Sequence, residues 1–220
     1  MHTKRTLVIV AVEAERTALG AACLASPAVR VVVAGIGRTN AAAATAEALA
    51  EARAAGTPFA AVVSAGIAGA LPGSNLAIGT VIVAEACIYA EEGIALPEGQ
   101  GDMRALGFPL GDFEGNRVPV DGALVRAFRS LGPACEIATV ATCSGTDAAA
   151  HAVRTRTGAM AEAMEGAAVV HAARRAGVPA IEIRSISNTT GDRPKQQWNI
   201  AAAFAALGAV GDSIAAWSAR

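Results

Sequence analysis

Polar side chains follow apolar strands of the predicted fold at the points where those strands end. Glu15 comes just after the first strand, "TLVIVAVE", and Asn188 follows the last, "IEIRSIS". A carboxylate accepts hydrogen bonds and can take up a proton, whereas an amide both donates and accepts. Because α/β proteins bind ligands at the carboxyl ends of their strands, we expect one cleft there. It would hold a carboxylate, an amide and backbone N–H groups, without a lysine or a metal cluster.

Glycines follow the second and third predicted strands, as "AGIG" with Gly37 and "AGIAG" with Gly69. A dinucleotide fingerprint needs G-x-G-x-x-G on the first strand–helix unit, and neither stretch meets that requirement. The sequence also contains no phosphate-binding P-loop, no G-x-S-x-G elbow and no HExxH. We therefore expect neither a cofactor nor a metal.

A second carboxylate, Glu165, opens an apolar helix in "AEAMEGAAVV". Burying an unpaired carboxylate is costly, so such a residue needs compensation. It either occupies the N-terminal turn of its helix, where the helix dipole favours negative charge, or it holds hydroxyl groups of a ligand. The residue spacing alone leaves both interpretations open.

Composition bounds the kind of protein. Of the 220 residues, 53% are hydrophobic and 17% charged, with a formal net charge of −1. This composition supports one substantial core and predicts no nucleic-acid or anionic membrane partner. The apolar N-terminus reads as a core strand, not as a signal peptide, because acidic residues interrupt it. No uninterrupted apolar stretch reaches the roughly 20 residues of a membrane helix. We expect one domain, residues 1–220, of a soluble cytoplasmic protein.

The four cysteines, Cys23, Cys87, Cys135 and Cys143, are widely spaced and form no CxxC pair. A structural zinc site is therefore not expected. The pattern favours reduced, buried cysteines that act as small hydrophobic residues in a cytosolic protein.

Short runs rich in Val and Ile alternate with Ala-rich helical stretches along the chain. One helix, "NAAAATAEALAEARAAG", has Asn40 as its predicted N-cap and Gly56 as its stop. Near-continuous apolar strands between helices predict a sheet covered on both faces, a three-layer α/β/α sandwich. Residues 91–117 are rich in Gly and Pro and lack periodicity, which predicts a long functional or mobile loop.

At this point the motifs "AVEAE", "AGIG", "AGIAG", "AEAMEGAAV" and "IRSISN" match a known family in their order. Spanning most of the chain, they resemble the purine nucleosidase and nucleoside phosphorylase superfamily, whose fold implies a central mixed sheet. The ending "ISNTTGDRPKQQWNIAAAFAALG" is similar to that of the futalosine hydrolases. Members of that family release hypoxanthine from futalosine and leave dehypoxanthinylfutalosine, in the alternative menaquinone route.

The resemblance implies roles for individual residues. Glu15 matches the carboxylate that activates the attacking water, and Glu165 the one that binds the ribose hydroxyls. Asn188, the third catalytic candidate, stands where adenine-cleaving relatives carry an aspartate. An amide NH₂ suits the carbonyl and N7 acceptors of hypoxanthine, although its oxygen leaves the base undecided. The implied substrate-binding set is Gly37, Ile67, Ala68, Gly69, Met164 and Arg184.

Ile67 stands where phosphorylases of this superfamily carry a serine that helps hold phosphate, so hydrolysis is favoured over phosphorolysis. The alternatives are a methylthioadenosine/S-adenosylhomocysteine nucleosidase, another purine nucleosidase or phosphorylase, and a non-catalytic nucleoside-binding protein. The resemblance also implies a nucleoside as the small-molecule partner and a homo-oligomer, a dimer or tetramer, because relatives often complete the pocket with a neighbouring chain.

The residues taken alone permit plainer interpretations. Glu15 could be an exposed residue opening a helix, Asn188 a turn or N-cap residue, and Arg184 a packed, paired structural side chain. Trp198 is either a helix anchor or part of a base pocket. Three residues of the 91–117 segment could meet the substrate's carboxylate arm: Phe108, Phe113 and Arg117.

Overall fold

The computed structural model of the chain describes residues 5–97 and 99–220. The strands are β1 Thr6–Val10, β2 Val29–Val33, β3 Ala61–Ala70, β4 Val81–Tyr89, β5 Ile94–Leu96, β6 Gly99–Gly101, β7 Arg117–Pro119, β8 Ala134–Thr139, β9 Ala161–Ala163 and β10 Ala180–Thr189. The α-helices are α1 Glu13–Ala18, α2 Gly20–Ala25, α3 Arg38–Ala54, α4 Met103–Leu106, α5 Gly122–Phe128, α6 Asp147–Thr157, α7 Gly166–Arg175 and α8 Ile200–Ser218.

The central sheet has a separate apolar core on each face. Successive side chains of a strand point to opposite faces, so β1 places Leu7 and Ile9 in one core and Val8 and Val10 in the other. Helices α3 and α7 cover the first face, and α2, α5 and α8 cover the second. The prediction of a three-layer α/β/α sandwich is therefore confirmed.

The main sheet is mixed and partly closed. Its strands run in the order β10-β4-β8-β9-β3-β1-β2, with β7 added to β4. Strand β10 also pairs with β3, so β3, β10, β4, β8 and β9 form a ring. The pairs β1–β3, β3–β10 and β4–β8 are parallel, whereas β3–β9 and β4–β10 are antiparallel. The ring brings the ends of β3, β9 and β10 together.

The glycine stretch "AGIAG" and Asn188 both lie inside strands, whereas the sequence placed them after strand ends. Strand β3 continues through the glycine stretch to Ala70, and β10 continues to Thr189. Asn188 is in register with Gly69, and the register shifts between Ile186 and Asn188. Such a bulge re-aims a side chain and is common next to active sites.

The N-terminus of α3 also differs from the prediction. The helix begins at Arg38 with Gly37 as its N-cap. Asn40 donates instead from its amide nitrogen to the carbonyl of Ile36, 2.8 Å away. The predicted stop is correct, since Gly56 has a φ of 69° just after the helix ends.

The 91–117 segment, predicted as one long loop, holds the β5–β6 hairpin, helix α4 and the start of β7. Asn116 anchors it, because its amide donates to the carbonyls of Tyr89 and Glu92 at 2.8 Å each. The side-chain oxygen of Asn116 accepts from the Met103 amide at 3.1 Å. The prediction of one continuous loop was therefore wrong where these short elements lie.

Helix α8 is long and apolar enough to cross a membrane by length and composition alone. Asp212 interrupts its apolar run, and Leu207, Val210 and Ile214 are fully buried in the core against the sheet. One face of α8 therefore packs on the sheet, and 28% of its apolar window is buried.

The cysteines do not all behave as predicted. Cys23 and Cys87 are buried, Cys135 is partly buried and Cys143 is exposed, and all four are unpaired. The prediction of a buried residue was wrong for Cys143, because it lies in the loop after β8 at the mouth of a cavity.

Candidate active site

A cavity of about 520 Å³ lies where β3, β9 and β10 meet. Seven of the nine site residues predicted from the sequence line it: Glu15, Ile67, Ala68, Gly69, Met164, Glu165 and Asn188. Gly37 and Arg184 are not among its lining residues in the described part of the chain. The structure thus brings the predicted carboxylates and the amide into one chamber.

Glu15 is buried in the first turn of α1, with 3% of its surface exposed. Its Oε2 accepts from the backbone N–H of Ala11 at 2.8 Å and of Val12 at 3.3 Å. Its Oε1 accepts from the backbone N–H of Ile67 at 2.9 Å. Because backbone N–H groups bind the charged form and fix its position, Glu15 is an oriented carboxylate at the cavity wall. It is not the exposed helix-opening residue that its spacing alone suggested.

Gly66 gives Glu15 the room it occupies. A Cβ atom at position 66 would lie 2.4 Å from Glu15 Oε1 and 2.6 Å from Arg184 Nη1. The glycine therefore lets a carboxylate and a guanidinium flank the bare backbone of β3.

Glu165 is the N-cap residue of α7 and also lines the cavity. Its Oε1 accepts from the backbone N–H of Gly37 at 3.0 Å, and its Oε2 lies 3.2 Å from Arg184 Nη2. The two interpretations left open by the sequence therefore coexist, since Glu165 sits at a helix N-terminus and faces the ligand chamber. Gly37 contributes through its amide, which holds this carboxylate.

Arg184 is buried behind the cavity, with 2% of its surface exposed. Its Nε donates to Glu182 Oε1 at 2.8 Å and its Nη2 to Ser64 Oγ at 3.2 Å, in addition to the Glu165 contact. Burial alone disfavours the charged guanidinium, but the carboxylates of Glu182, Glu165 and Glu15 together raise the pKa of Arg184. Arg184 is therefore packed and paired, as the plainer interpretation of the sequence expected. Its positive charge also holds Glu165 in place.

Asn188 lines the cavity, and its amide is held by its two neighbours in the chain. Its Oδ1 accepts from the hydroxyl of Ser187 at 2.8 Å, and its Nδ2 donates to the carbonyl of Thr189 at 2.9 Å. Because a carbonyl oxygen only accepts, these two contacts fix which end of the amide is nitrogen. An amide nitrogen carries two hydrogens, so one remains for a ligand. The amide oxygen accepts from the Ser187 hydroxyl, which also lies 3.2 Å from the carbonyl oxygen of Ala68.

Glu15 and Asn188 are held at a defined separation by β3. Glu15 binds the N–H of Ile67, and Asn188 is in register with Gly69 two residues further on. At about 3.3 Å per residue, these two anchor points are roughly 7 Å apart along the strand. That separation is on the scale of a sugar and the near edge of an attached base.

Several polar residues of the cavity wall escaped the sequence analysis, among them Glu162 and Ser144. Glu162 Oε1 accepts from the Ser144 backbone N–H at 2.8 Å, and its Oε2 accepts from the Ser144 hydroxyl at 2.6 Å. Burial raises the pKa of Glu162, although both Ser144 donors act in the opposite direction. A glutamate between two alanines in a buried strand was the available signal, but β9 spans only three residues and was not predicted.

The segment after β10 forms another wall of the cavity. Trp198 lines the chamber and its Nε1 donates to Gln196 Oε1 at 3.0 Å, while the Arg193 guanidinium carbon lies 4.7 Å from the centre of the indole rings. Gln196 donates to the carbonyls of Ser144 and Gly191 at 2.9 and 2.8 Å. Of the two interpretations of Trp198, the pocket-lining one describes its position.

The three aromatic and basic residues of the 91–117 segment do not line this cavity in the described chain. Phe113 packs edge-on against His171, with ring centres 5.0 Å apart. Arg117 Nε pairs with Glu136 at 2.7 Å. Phe108 is 67% exposed. The hypothesis that they meet the substrate's arm gains no contact within one chain.

Comparison with known proteins gives this fold and site a family. Residues 12–215 match the model of the phosphorylase superfamily. The chain belongs to that superfamily.

Within it, the chain is 38% identical over 181 residues to a futalosine hydrolase of Streptomyces coelicolor, covering 80% of this chain and 74% of that one. It is also 37% identical over 179 residues to a futalosine hydrolase of Thermus thermophilus, covering 79% and 75%. These identities place the chain among the futalosine hydrolase family, as its C-terminal pattern predicted.

Solved structures agree in fold. A methylthioadenosine/S-adenosylhomocysteine nucleosidase of Colwellia psychrerythraea, in complex with adenine, superposes with a TM-score of 0.74 at 21% identity, covering 99% of this chain and 94% of that one. A futalosine hydrolase mutant of Helicobacter pylori gives 0.70 at 18% identity, covering 96% and 95%. The nucleoside phosphorylase-like mixed sheet is thereby confirmed.

Proposed function

We propose that this chain hydrolyses the N-glycosidic bond of futalosine and releases hypoxanthine and dehypoxanthinylfutalosine. One observation carries the proposal: an oriented carboxylate, Glu15, and an amide donor, Asn188, share a cavity and are anchored two residues apart on β3. The 37% and 38% identities to futalosine hydrolases support the choice of substrate. The reaction places the enzyme in the futalosine route to menaquinone.

Glu15 acts as the general base in this scheme. Water attacks C1′ of the ribose while the bond between C1′ and N9 breaks, and its proton passes to Glu15. Its backbone partners Ala11, Val12 and Ile67 hold the carboxylate still. Positioned proton transfer of this kind contributes roughly 10²–10⁴-fold to rate.

Glu165 holds the sugar. The electron pair of the breaking bond leaves with the purine, so positive charge develops on the ribose. A carboxylate that accepts from the ribose hydroxyls orients the sugar and stabilises this charge. Gly37 and Arg184 keep Glu165 in place and leave it facing the chamber.

Asn188 receives the departing base. Negative charge develops on the purine, and an N–H donor near N7 and the 6-oxo group stabilises it. Its Nδ2 uses one hydrogen on the Thr189 carbonyl, so the second hydrogen is the donor for this edge. The purine anion then takes a proton from the solvent, which completes hypoxanthine, and Glu15 releases the proton of the attacking water to the solvent.

Water is the nucleophile in this proposal, and Ile67 supports that choice. Its apolar side chain packs partly into the core, and its backbone N–H is already used by Glu15. Neither its side chain nor its amide is therefore available to hold phosphate.

A substrate panel tests the activity. Chromatography should detect hypoxanthine released from futalosine at a rate independent of phosphate, with no adenine released from methylthioadenosine. Adenine release alone would instead support the alternative of a methylthioadenosine/S-adenosylhomocysteine nucleosidase. A rate proportional to phosphate would identify a phosphorylase.

Replacing Glu15 separates the enzyme from a non-catalytic nucleoside-binding protein. The Glu15→Gln variant should lose roughly 10²–10⁴-fold in kcat because the base is removed, while hypoxanthine binding is largely kept. The exposed Glu13→Gln change, two residues away, is the matched control and should leave kcat unaltered. Equal turnover by the parent and Glu15→Gln would contradict the assigned role.

We also propose that residues 1–220 form one domain, that the protein is cytoplasmic and that it is a homo-oligomer. The continuous main sheet, formed by strands from both ends of the chain, supports the single domain.

Ile36 lies at the cavity and is 57% exposed, and Phe108 is 67% exposed. A second copy that completes the pocket, as relatives of this superfamily often do, would cover Ile36 at the cavity. Sedimentation velocity at several concentrations tests this, and a monomer throughout would exclude it.

A further inference from the structure

Glu162 is the carboxylate of the cavity that the proposed mechanism does not use. It lies on β9 with 5% of its surface exposed and lines the same chamber as Asn188. Its hydrogen-bond partners are both on Ser144, the backbone N–H and the hydroxyl. No ion pair with a cation is formed by Glu162 among residues 5–97 and 99–220. A buried carboxylate without a cation is costly unless further donors reach it.

Strand pairing puts Glu162 and Asn188 on either side of one glycine. Gly69 is in register with Asn188 on β10 and with Glu162 on β9. Neighbouring strands are about 4.8 Å apart, so the two backbones are separated by roughly 10 Å. The bare backbone of Gly69 lets the Asn188 amide approach β3 closely, since a Cβ there would lie 2.8 Å from Thr190 Cγ2 and 3.1 Å from Asn188 Nδ2.

This pair of groups matches the edge of a 6-oxopurine. That edge carries N7 and the 6-oxo oxygen, which accept, followed by N1–H, which donates. Asn188 supplies the donor for the first part of the edge, and a carboxylate supplies an acceptor for N1–H. Adenine has an unprotonated, accepting N1, which would face the carboxylate oxygens without a hydrogen.

We propose that Glu162, held by Ser144, accepts a hydrogen bond from N1–H of the purine and makes the site specific for 6-oxopurines over adenine. The assignment rests on the proposed nucleosidase function and names a residue that selects its base. The raised pKa of Glu162 agrees with a carboxylate whose last donor arrives with the ligand. Glu162 is thus a specificity residue, whereas Asn188 stabilises the leaving group.

Binding of free bases tests the proposal without turnover. Calorimetry with hypoxanthine, 1-methylhypoxanthine and adenine compares a base with N1–H to two bases without it. The parent protein should bind hypoxanthine about 10–100-fold more tightly than either, the range for a hydrogen bond to a charged group. Equal binding of hypoxanthine and 1-methylhypoxanthine by the parent would overturn the proposal, and this arm needs no variant.

The Glu162→Gln variant provides the second arm. Its amide can donate to N1 of adenine, so the preference for hypoxanthine over adenine should fall at least tenfold. Glu47→Gln, an exposed change on α3, is the matched control and should keep the parent preference. A structural role for Glu162 would weaken all three bases alike. An unchanged ratio in Glu162→Gln with an unaltered melting temperature would therefore overturn the proposal.

The two levels of inference fail differently. If futalosine yields hypoxanthine but the base preference does not depend on Glu162, the specificity assignment fails and the proposed function stands. If the protein binds none of the three bases and releases none from any nucleoside, both fail.

Discussion

Adding one methyl group at Gly66 should disable catalysis although no charged residue is replaced. The new Cβ of Gly66→Ala would lie 2.4 Å from Glu15 Oε1 and 2.6 Å from Arg184 Nη1, whereas ordinary contacts begin at 3.4 Å. The Glu15 oxygen must therefore move by about 1 Å, since β3 is fixed on both sides by β1 and β10. Misplacement of a catalytic group by about 1 Å can cost on the order of 10²-fold in rate, or about 2.7 kcal/mol of activation free energy.

The assay is hypoxanthine release from futalosine, with kcat and KM determined separately. Gly66→Ala should lower kcat by about 10²-fold through Glu15. A rise in KM would report the accompanying shift of Arg184, which holds the sugar-binding Glu165. Gly122→Ala is the matched control, since its Cβ would meet only Arg126 Nη1 at an ordinary 3.6 Å. A Gly66→Ala enzyme with parental kcat would refute the assignment of Glu15 as a precisely held base.

Three further predictions concern other parts of the structure. Glu165→Gln should lower kcat/KM about 10–100-fold through the loss of a charge-assisted bond to the sugar, measured on the same substrate. Cys143 is exposed, but partial desolvation at the cavity wall and the nearby carboxylates of Glu162 and Glu165 raise the pKa of its thiol. Iodoacetamide should therefore label it slowly at neutral pH and faster as pH rises, and hypoxanthine should protect it. Mass spectrometry reports both, and labelling indifferent to hypoxanthine would place Cys143 outside the bound site. Gly211→Ala should destabilise the fold by about 1–3 kcal/mol in urea unfolding because its Cβ would lie 1.9 Å from the Leu19 carbonyl oxygen. Gly208→Ala on the same helix meets only an ordinary 3.8 Å contact and should not destabilise it.

Most of the layer architecture could be predicted because it depends on local pattern. Apolar runs of five to ten residues between Ala-rich stretches give strands and helices their order, and β1 shows the reason in its two-faced burial. The ring closure between β3 and β10 could not be predicted, since it depends on pairing between distant segments. The strand ends were misassigned as turns because glycine and hydroxyl residues favour turns when considered alone. In the folded chain, pairing with neighbouring strands outweighs that preference.

Some residues of the candidate site could likewise be predicted from the sequence, and others could not. Glu15 and Asn188 were found because each directly follows a recognisable strand. Glu162 was missed because β9 is three residues long and its importance appears only when β3 pairs with it. The orientation of the Asn188 amide also needed the structure, because it is decided by the neighbouring Ser187 hydroxyl and Thr189 carbonyl.

One buried cluster of charges, centred on Arg184, explains why two of the motifs contain a glycine. Gly66 of "AGIAG" leaves room for Glu15 and Arg184, and a Cβ on Gly166 of "AMEG" would lie 1.9 Å from the Glu182 carboxyl group. Arg184 joins both sites, since it binds Glu182 directly and flanks Gly66. A side chain at either position would separate the guanidinium from a carboxylate. The buried charge would then lack its partner, which costs several kcal/mol. The two motifs, far apart in the chain, therefore both keep the backbone bare around the same guanidinium that holds the sugar-binding carboxylate.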